Sequence, residues 1–146
     1  MTTSIPQFGQ TLLDGSEFEE ITYAFVIIQD GRNRVALRNT EEGHILPGFV
    51  VEDDEDEEEA IIRHIEEETG LVIEVKQVVG EANEYIKDSN GELTNDIGTF
   101  YSAIISADSP AGKKSTKLFD WYTTDTVTGA IDRRSHIWAI SRMLYQ

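Results

Sequence analysis

The chain has 146 residues, no cysteine, 39% hydrophobic residues and a formal net charge of −16. The length suits one domain, and the apolar fraction is enough for a core. The lack of cysteine excludes disulfides, thiolate-bound zinc and a cysteine nucleophile. So acidic a chain is a poor match for nucleic acid, whose phosphates need lysine and arginine to neutralise them. Any phosphate chemistry here would need cations between protein and ligand.

Met1–Gln10 carries neither a basic region nor a long apolar run, and no segment reaches the apolar length of a bilayer span. The expectation is a cytoplasmic protein without membrane contact. Residues 1–20 are polar, with Pro6, Gly9 and Gly15, and read as a leading loop or weak edge strand. Ile21–Gln29 is β-rich and largely apolar, which suits a central strand. Asp30-Gly31 signals a hairpin whose return strand is Asn33–Asn39. Gly43–Leu46 is a further short strand ended by Pro47-Gly48.

A helix follows. Asp53 or Asp54 can cap it, acids in its first turn favour the positive end of its dipole, and Thr69-Gly70 stops it. The spacing predicts helix over most of Asp54–Thr69, with Ala60, Ile61 and Ile65 on its apolar side and Ile62 at its margin. Leu71–Val79 resumes β alternation towards Tyr85 and Ile86, Asp88–Gly91 is a turn, and Ile97–Ile105 is another strand. Ser109–Lys114 reads as a loop, Leu118–Thr123 as a short strand, and about Asp132 to Leu144 as a C-terminal helix. Strands before, between and after two helices imply a mixed sheet between helices, in a single domain over residues 1–146.

The chemistry concentrates in Leu46–Leu71, which reads LPGFVVEDDEDEEEAIIRHIEEETGL. Glu67 and Glu68 lie three and four residues after His64, so all three project from neighbouring positions of one helix face. Arg63 precedes Glu67 by one turn and can hold it. Gly48 ends the loop feeding the helix, and a glycine there allows its carbonyl to turn to the same face. Adjacent carboxylates with a carbonyl oxygen are hard donors suited to Mg²⁺ or Mn²⁺. The bland reading of the same acids is a solvated helix end, and most of the run Glu52–Glu59 fits it.

The segment resembles the Nudix box: Gly, five residues, Glu, seven residues, then Arg-Glu-apolar-x-Glu-Glu-x-Gly-apolar. Glu55, Arg63, Ile65, Glu67, Glu68, Gly70 and Leu71 fall in register, and Leu46-Pro47-Gly48 matches the Leu-Pro-Gly that leads in. Three positions depart: Phe49 stands for the box glycine, His64 for the glutamate after arginine, and Asp54 for a usual glycine. The resemblance implies an α/β (α+β) domain, an α/β/α sandwich with a mixed central sheet. It implies metal-dependent hydrolysis of nucleoside-diphosphate-linked substrates, with Gly48, Glu67, Glu68 and Glu55 in the metal set and Arg63 in support. Glu55 would orient the site more than ligate. Nudix substrate choice lies in loops and dimer contacts outside the box, which leaves a homodimer open.

His64 reads two ways, as a recruited base or Mn²⁺ ligand, or as a residue merely tolerated where a carboxylate is usual. The alternative function, a Nudix-like domain that binds nucleotide or protein without catalysis, rests on His64 and Phe49. An acid from outside the box often completes the family's site. Glu81 and Glu84 are the candidates, with Asp96 and Asp120 behind them, while Gly112-Lys113-Lys114 is basic and reads as a surface loop or a phosphate contact. His136 and Trp138 could face the cleft, with core packing the default for Trp138.

Overall fold

A computed structural model describes residues 5–9, 17–88, 90–109 and 118–145. Gly15 and the Gly112-Lys113-Lys114 segment lie outside those residues. The strands are β1 (Gln7–Gly9), β2 (Glu19–Gln29), β3 (Arg34–Thr40), β4 (Gly43–Ile45), β5 (Gly48–Val50), β6 (Ile73–Lys87), β7 (Leu93–Ile105) and β8 (Asp120–Thr123). Between them run α1 (Glu57–Thr69), α2 (Val127–Ala130) and α3 (Arg134–Leu144).

The eight strands form one mixed sheet in the order β1-β6-β7-β2-β3-β4, with β5 on β2 and β8 on β3. β2 runs parallel to β7 along its whole length, from Glu19↔Thr94 to Gln29↔Ile104. Its other edge is shared. β5 takes Tyr23 to Phe25, the Pro47 carbonyl accepts from the Val26 N–H at 2.9 Å, and β3 meets Gln29. β1 is one edge strand, parallel to β6.

The apolar run of β2 is buried on both faces, as a central strand must be. Phe25 and Ile27 join Leu37, Phe100, Ala139 and Ile140 in the core beneath α3. Ala24, Val26 and Ile28 join Ile61, Ile65, Leu71 and Tyr101 in the core beneath α1. The alternation of one strand thus feeds two cores, and the α/β/α layering follows.

Several boundaries differ from the sequence reading. The α1 cap is Asp56, whose side chain accepts the Glu59 N–H at 3.0 Å, whereas Asp54 lies in the preceding turn with φ 67. β6 is one long strand, bent by register shifts between Val75 and Gln77 and between Val78 and Gly80. The three-residue β5 and the one-turn α2 were not among the expected elements. Among the described residues no helix is long and apolar enough to cross a membrane.

Candidate active site on the box helix

α1 is fixed by its buried side. Ala60, Ile61, Ile65 and Thr69 face the sheet, the Thr69 hydroxyl donates to the Ile65 carbonyl, and Gly70 closes the helix at φ 79. At the other end the Tyr101 hydroxyl, on β7, donates to Glu57 Oε1 at 2.8 Å. Burial, then the Glu57 carboxylate, push the Tyr101 pKa up, so the hydroxyl stays a donor. With those contacts made, the helix turns Arg63, His64, Glu67 and Glu68 outward.

Arg63 organises that face. Its Nη2 donates to Glu55 Oε2 at 2.7 Å, and its Nε lies 3.9 Å from Glu67 Oε1. The same hydrogen bond is the main cause of a Glu55 pKa below the usual carboxylate range. Glu55 also accepts the Glu52 N–H at 3.4 Å, so it braces the loop before the helix. Glu67 is the most open of these acids, with 65% of its side chain exposed.

Glu68 pairs with Arg38 of β3, a residue not among those read from the sequence. Strand alternation carried the signal. Val35 and Leu37 enter the α3 core, so Ala36 and Arg38 face α1. A cavity of about 320 Å³ adjoins this pair, walled by Thr69, Leu118 and Phe119.

β5 lies beside the helix. Gly48 pairs with Phe25, and a β-carbon there would sit 2.3 Å from the Phe25 ring and 2.8 Å from the Ala24 carbonyl, so only glycine fits. The next residue, Phe49, stacks on His64 with ring centroids 4.1 Å apart and planes 24° apart. The two clearest departures from the box pattern are therefore a contacting pair. His64 Nε2 lies 3.4 Å from Arg63 Nη2.

Three of the acids proposed from outside the box, Glu84, Asp96 and Asp120, are engaged elsewhere. Glu84 is buried and caps α3, accepting the Ser135 N–H at 2.9 Å, the Ser135 hydroxyl at 2.5 Å and the Arg134 N–H at 3.2 Å. Asp96 accepts from Arg133 at 3.2 Å, and burial foremost pushes its pKa up. Asp120 pairs with His44 at 2.7 Å. Glu81 is exposed, opposite Thr99 on the neighbouring strand.

His136 is fully buried, with its Nδ1 accepting the Leu46 N–H at 3.1 Å and its ring against Phe25 and Phe100. It holds the strand that leads to Gly48. Trp138 packs against the same core. A larger cleft, about 630 Å³, opens at the N-terminal end of α3, between Glu42, Tyr85, Lys87, Asp132 and Arg133.

Among the described residues no three histidine or acidic side chains gather closely enough to hold a metal ion as they stand. Two adjacent box carboxylates do offer hard oxygen donors. Their present partners are the exposed Arg63 and the half-buried Arg38, and pairs this near the surface are worth about 1 kcal/mol at most. A two-carboxylate set of this kind fits Mg²⁺ or Mn²⁺, which commonly take one or two carboxylates and complete their shell with water and substrate phosphates.

A family model described as a NUDIX domain matches residues 19–136 of the chain. The chain therefore belongs to the Nudix family. Solved structures agree on the fold. The MutT protein of Methanosarcina mazei Go1 is 18% identical with a TM-score of 0.62, over 90% of this chain and 100% of that one. The MutT protein of Bacillus halodurans is 23% identical with a TM-score of 0.60, over 86% and 83% of the two chains. A MutT described as a family Nudix hydrolase, from methicillin-resistant Staphylococcus aureus 252, is 19% identical with a TM-score of 0.62, over 88% and 98%. No curated protein matches the sequence.

Proposed function

We propose that this Nudix domain hydrolyses a pyrophosphate bond in a substrate built on a nucleoside diphosphate, using Mg²⁺ or Mn²⁺ held by Glu67 and Glu68. The observation that carries the reading is the outward face of α1. Two adjacent carboxylates stand there, with Arg63 tying Glu67 to Glu55. The Gly48 carbonyl, on the strand beside the helix, is the third oxygen in the set. When bound, the cation neutralises phosphate charge and lowers the pKa of a coordinated water.

The chain's own residues supply position. Arg63 keeps Glu67 and Glu55 in register, and Glu55 holds the loop through the Glu52 N–H. A water oxygen forms a bond to one phosphorus as the bond from that phosphorus to the bridging oxygen breaks, the bridging oxygen leaves on the other phosphate, and the water's proton passes to solvent. In chemistry of this kind, placement and charge compensation supply most of the rate. The partner class is a nucleotide-type small molecule, because the net charge of −16 opposes nucleic acid.

The alternative is a Nudix-fold domain that binds a nucleotide or a protein without hydrolysing it. The Phe49–His64 stack favours that reading, since it covers a position where a third carboxylate would otherwise stand.

The test is phosphate release with Mg²⁺ or Mn²⁺ across nucleoside triphosphates, dinucleoside polyphosphates, nucleotide sugars and ADP-ribose. A positive substrate should lose roughly a hundredfold or more of its rate when Glu67 and Glu68 are both replaced by glutamine. Nucleotide binding with no turnover in any condition would select the binding domain instead.

A further inference from the structure

Phe49 and His64 are 15 positions apart in sequence, and each departs from the box pattern. In the fold they are one object. β5 pairs Phe49 with Ala24 of β2, which fixes its backbone, and its half-buried ring lies flat on the imidazole. On the far side, His64 Nε2 faces Arg63 Nη2 at 3.4 Å. A guanidinium offers only hydrogens, so at that contact Nε2 can take part only as an acceptor. The imidazole is thus held by a phenyl face and a cation, while Glu67 and Glu68 on the same helix face are free of it.

We propose that the Phe49–His64 unit withholds the third donor of the helix face, so that a divalent cation binds this site only together with the substrate's phosphates. The inference rests on the reading of Glu67 and Glu68 as the metal carboxylates. Two carboxylates and one backbone carbonyl are a weak cage for Mg²⁺ or Mn²⁺, and phosphate oxygens complete the shell. The unit also explains why the departures belong together. A carboxylate placed at 64 while Phe49 remains would lie against the negative face of an aromatic ring and lose its water. A glycine placed at 49 while His64 remains uncovers the helix face but adds no oxygen. Only both changes together put a third, hydrated carboxylate beside Glu67 and Glu68.

Mn²⁺ binding without nucleotide tests this. Free Mn²⁺ is counted by electron paramagnetic resonance for the parent, Phe49→Gly, His64→Glu and the double variant. The titration is run at about 0.15 M salt, which screens diffuse attraction to the acidic run. The parent and both single variants should show no saturable site. The double variant should saturate at one ion per chain, at least about tenfold tighter than either single variant. Proton NMR gives an independent readout: the His64 ring signals should lie upfield under Phe49 and return downfield in Phe49→Ala.

A parent that takes up one Mn²⁺ saturably without nucleotide overturns the proposal, as does a His64→Glu variant that equals the double. If the double variant fails to fold, the titration of the parent still decides. Phosphate release by the parent is scored separately. Absence of turnover in every substrate class would sink the hydrolase reading, whatever the Mn²⁺ count.

Discussion

His136 lies between Phe25 and Phe100 with its Nδ1 already accepting the Leu46 N–H, so acid sets the fold against protonation of that ring. Burial, then the nearby Arg133 charge, lower its pKa from 6.5 to about 3. The unfolded chain takes up the proton first as pH falls. The stabilisation is therefore complete above pH 6.5 and declines below it, by about 1.4 kcal/mol per pH unit until the folded pKa is reached. By about pH 4.5 the loss is roughly 2.7 kcal/mol, a large part of the roughly 5–15 kcal/mol that holds a domain together. Urea melts should register it as a midpoint about 1–2 M lower than at neutral pH. The control is His136→Asn, whose Oδ1 occupies the place of Nδ1, so the Leu46 N–H keeps an acceptor that does not titrate. Asp30 and Glu55, both held below the usual range, lose their contributions at lower pH, and Asp96, held above it, acts with the opposite sign. All three are common to parent and variant and cancel in the difference. Parallel stability curves for the two proteins between pH 7 and 4.5 would refute the reasoning.

Further outcomes follow from side chains outside the aromatic pair. Glu84→Leu strips three donors at the start of α3 of their acceptor and should cost about 3 kcal/mol or more, while Glu84→Gln, which keeps one oxygen, should cost about 1–3 kcal/mol. A thermal melt of the leucine variant that overlays the parent's would show that the cap contributes nothing. Arg38→Met breaks an exposed pair, so stability should move by less than about 1 kcal/mol, while the metal concentration for half-maximal turnover should fall up to about fivefold as Glu68 is freed. A rise in that concentration would assign Arg38 to the substrate's phosphates instead.

The fold was readable where one pattern has one physical solution. An apolar run such as Ala24–Ile28 has to be buried on both faces, and that places β2 at the centre. Glu67, Glu68, Arg63 and Glu55 were readable because helix spacing alone brings them to one face. The cap was not, because the run from Glu52 to Glu59 offers several side chains that can accept an N–H. Backbone geometry chose Asp56 and left Asp54 at positive φ. The job of Glu84 was hidden for a different reason. A carboxylate in a strand acquires its role from whatever packs on it, and here that is a helix start 50 residues further along the chain. The Phe49–His64 contact is of the same kind, since only the pairing of β5 with β2 brings the two rings together.

These hidden contacts converge on a single segment, the chain from Gly43 to Val50. From the α3 side, His136 takes the Leu46 N–H, and His44 bridges Ile131 just before the helix begins. Glu84 fixes the start of that helix from β6. From the α1 side, Phe49 rests on His64. Between them β2 accepts β5 as a partner and supplies the Val26 N–H to the Pro47 carbonyl. The backbone at Gly48 is therefore held jointly by both helices and the central strand. Disturbing any of the three should reach the box through that short strand, even where the altered residue touches neither Glu67 nor Glu68.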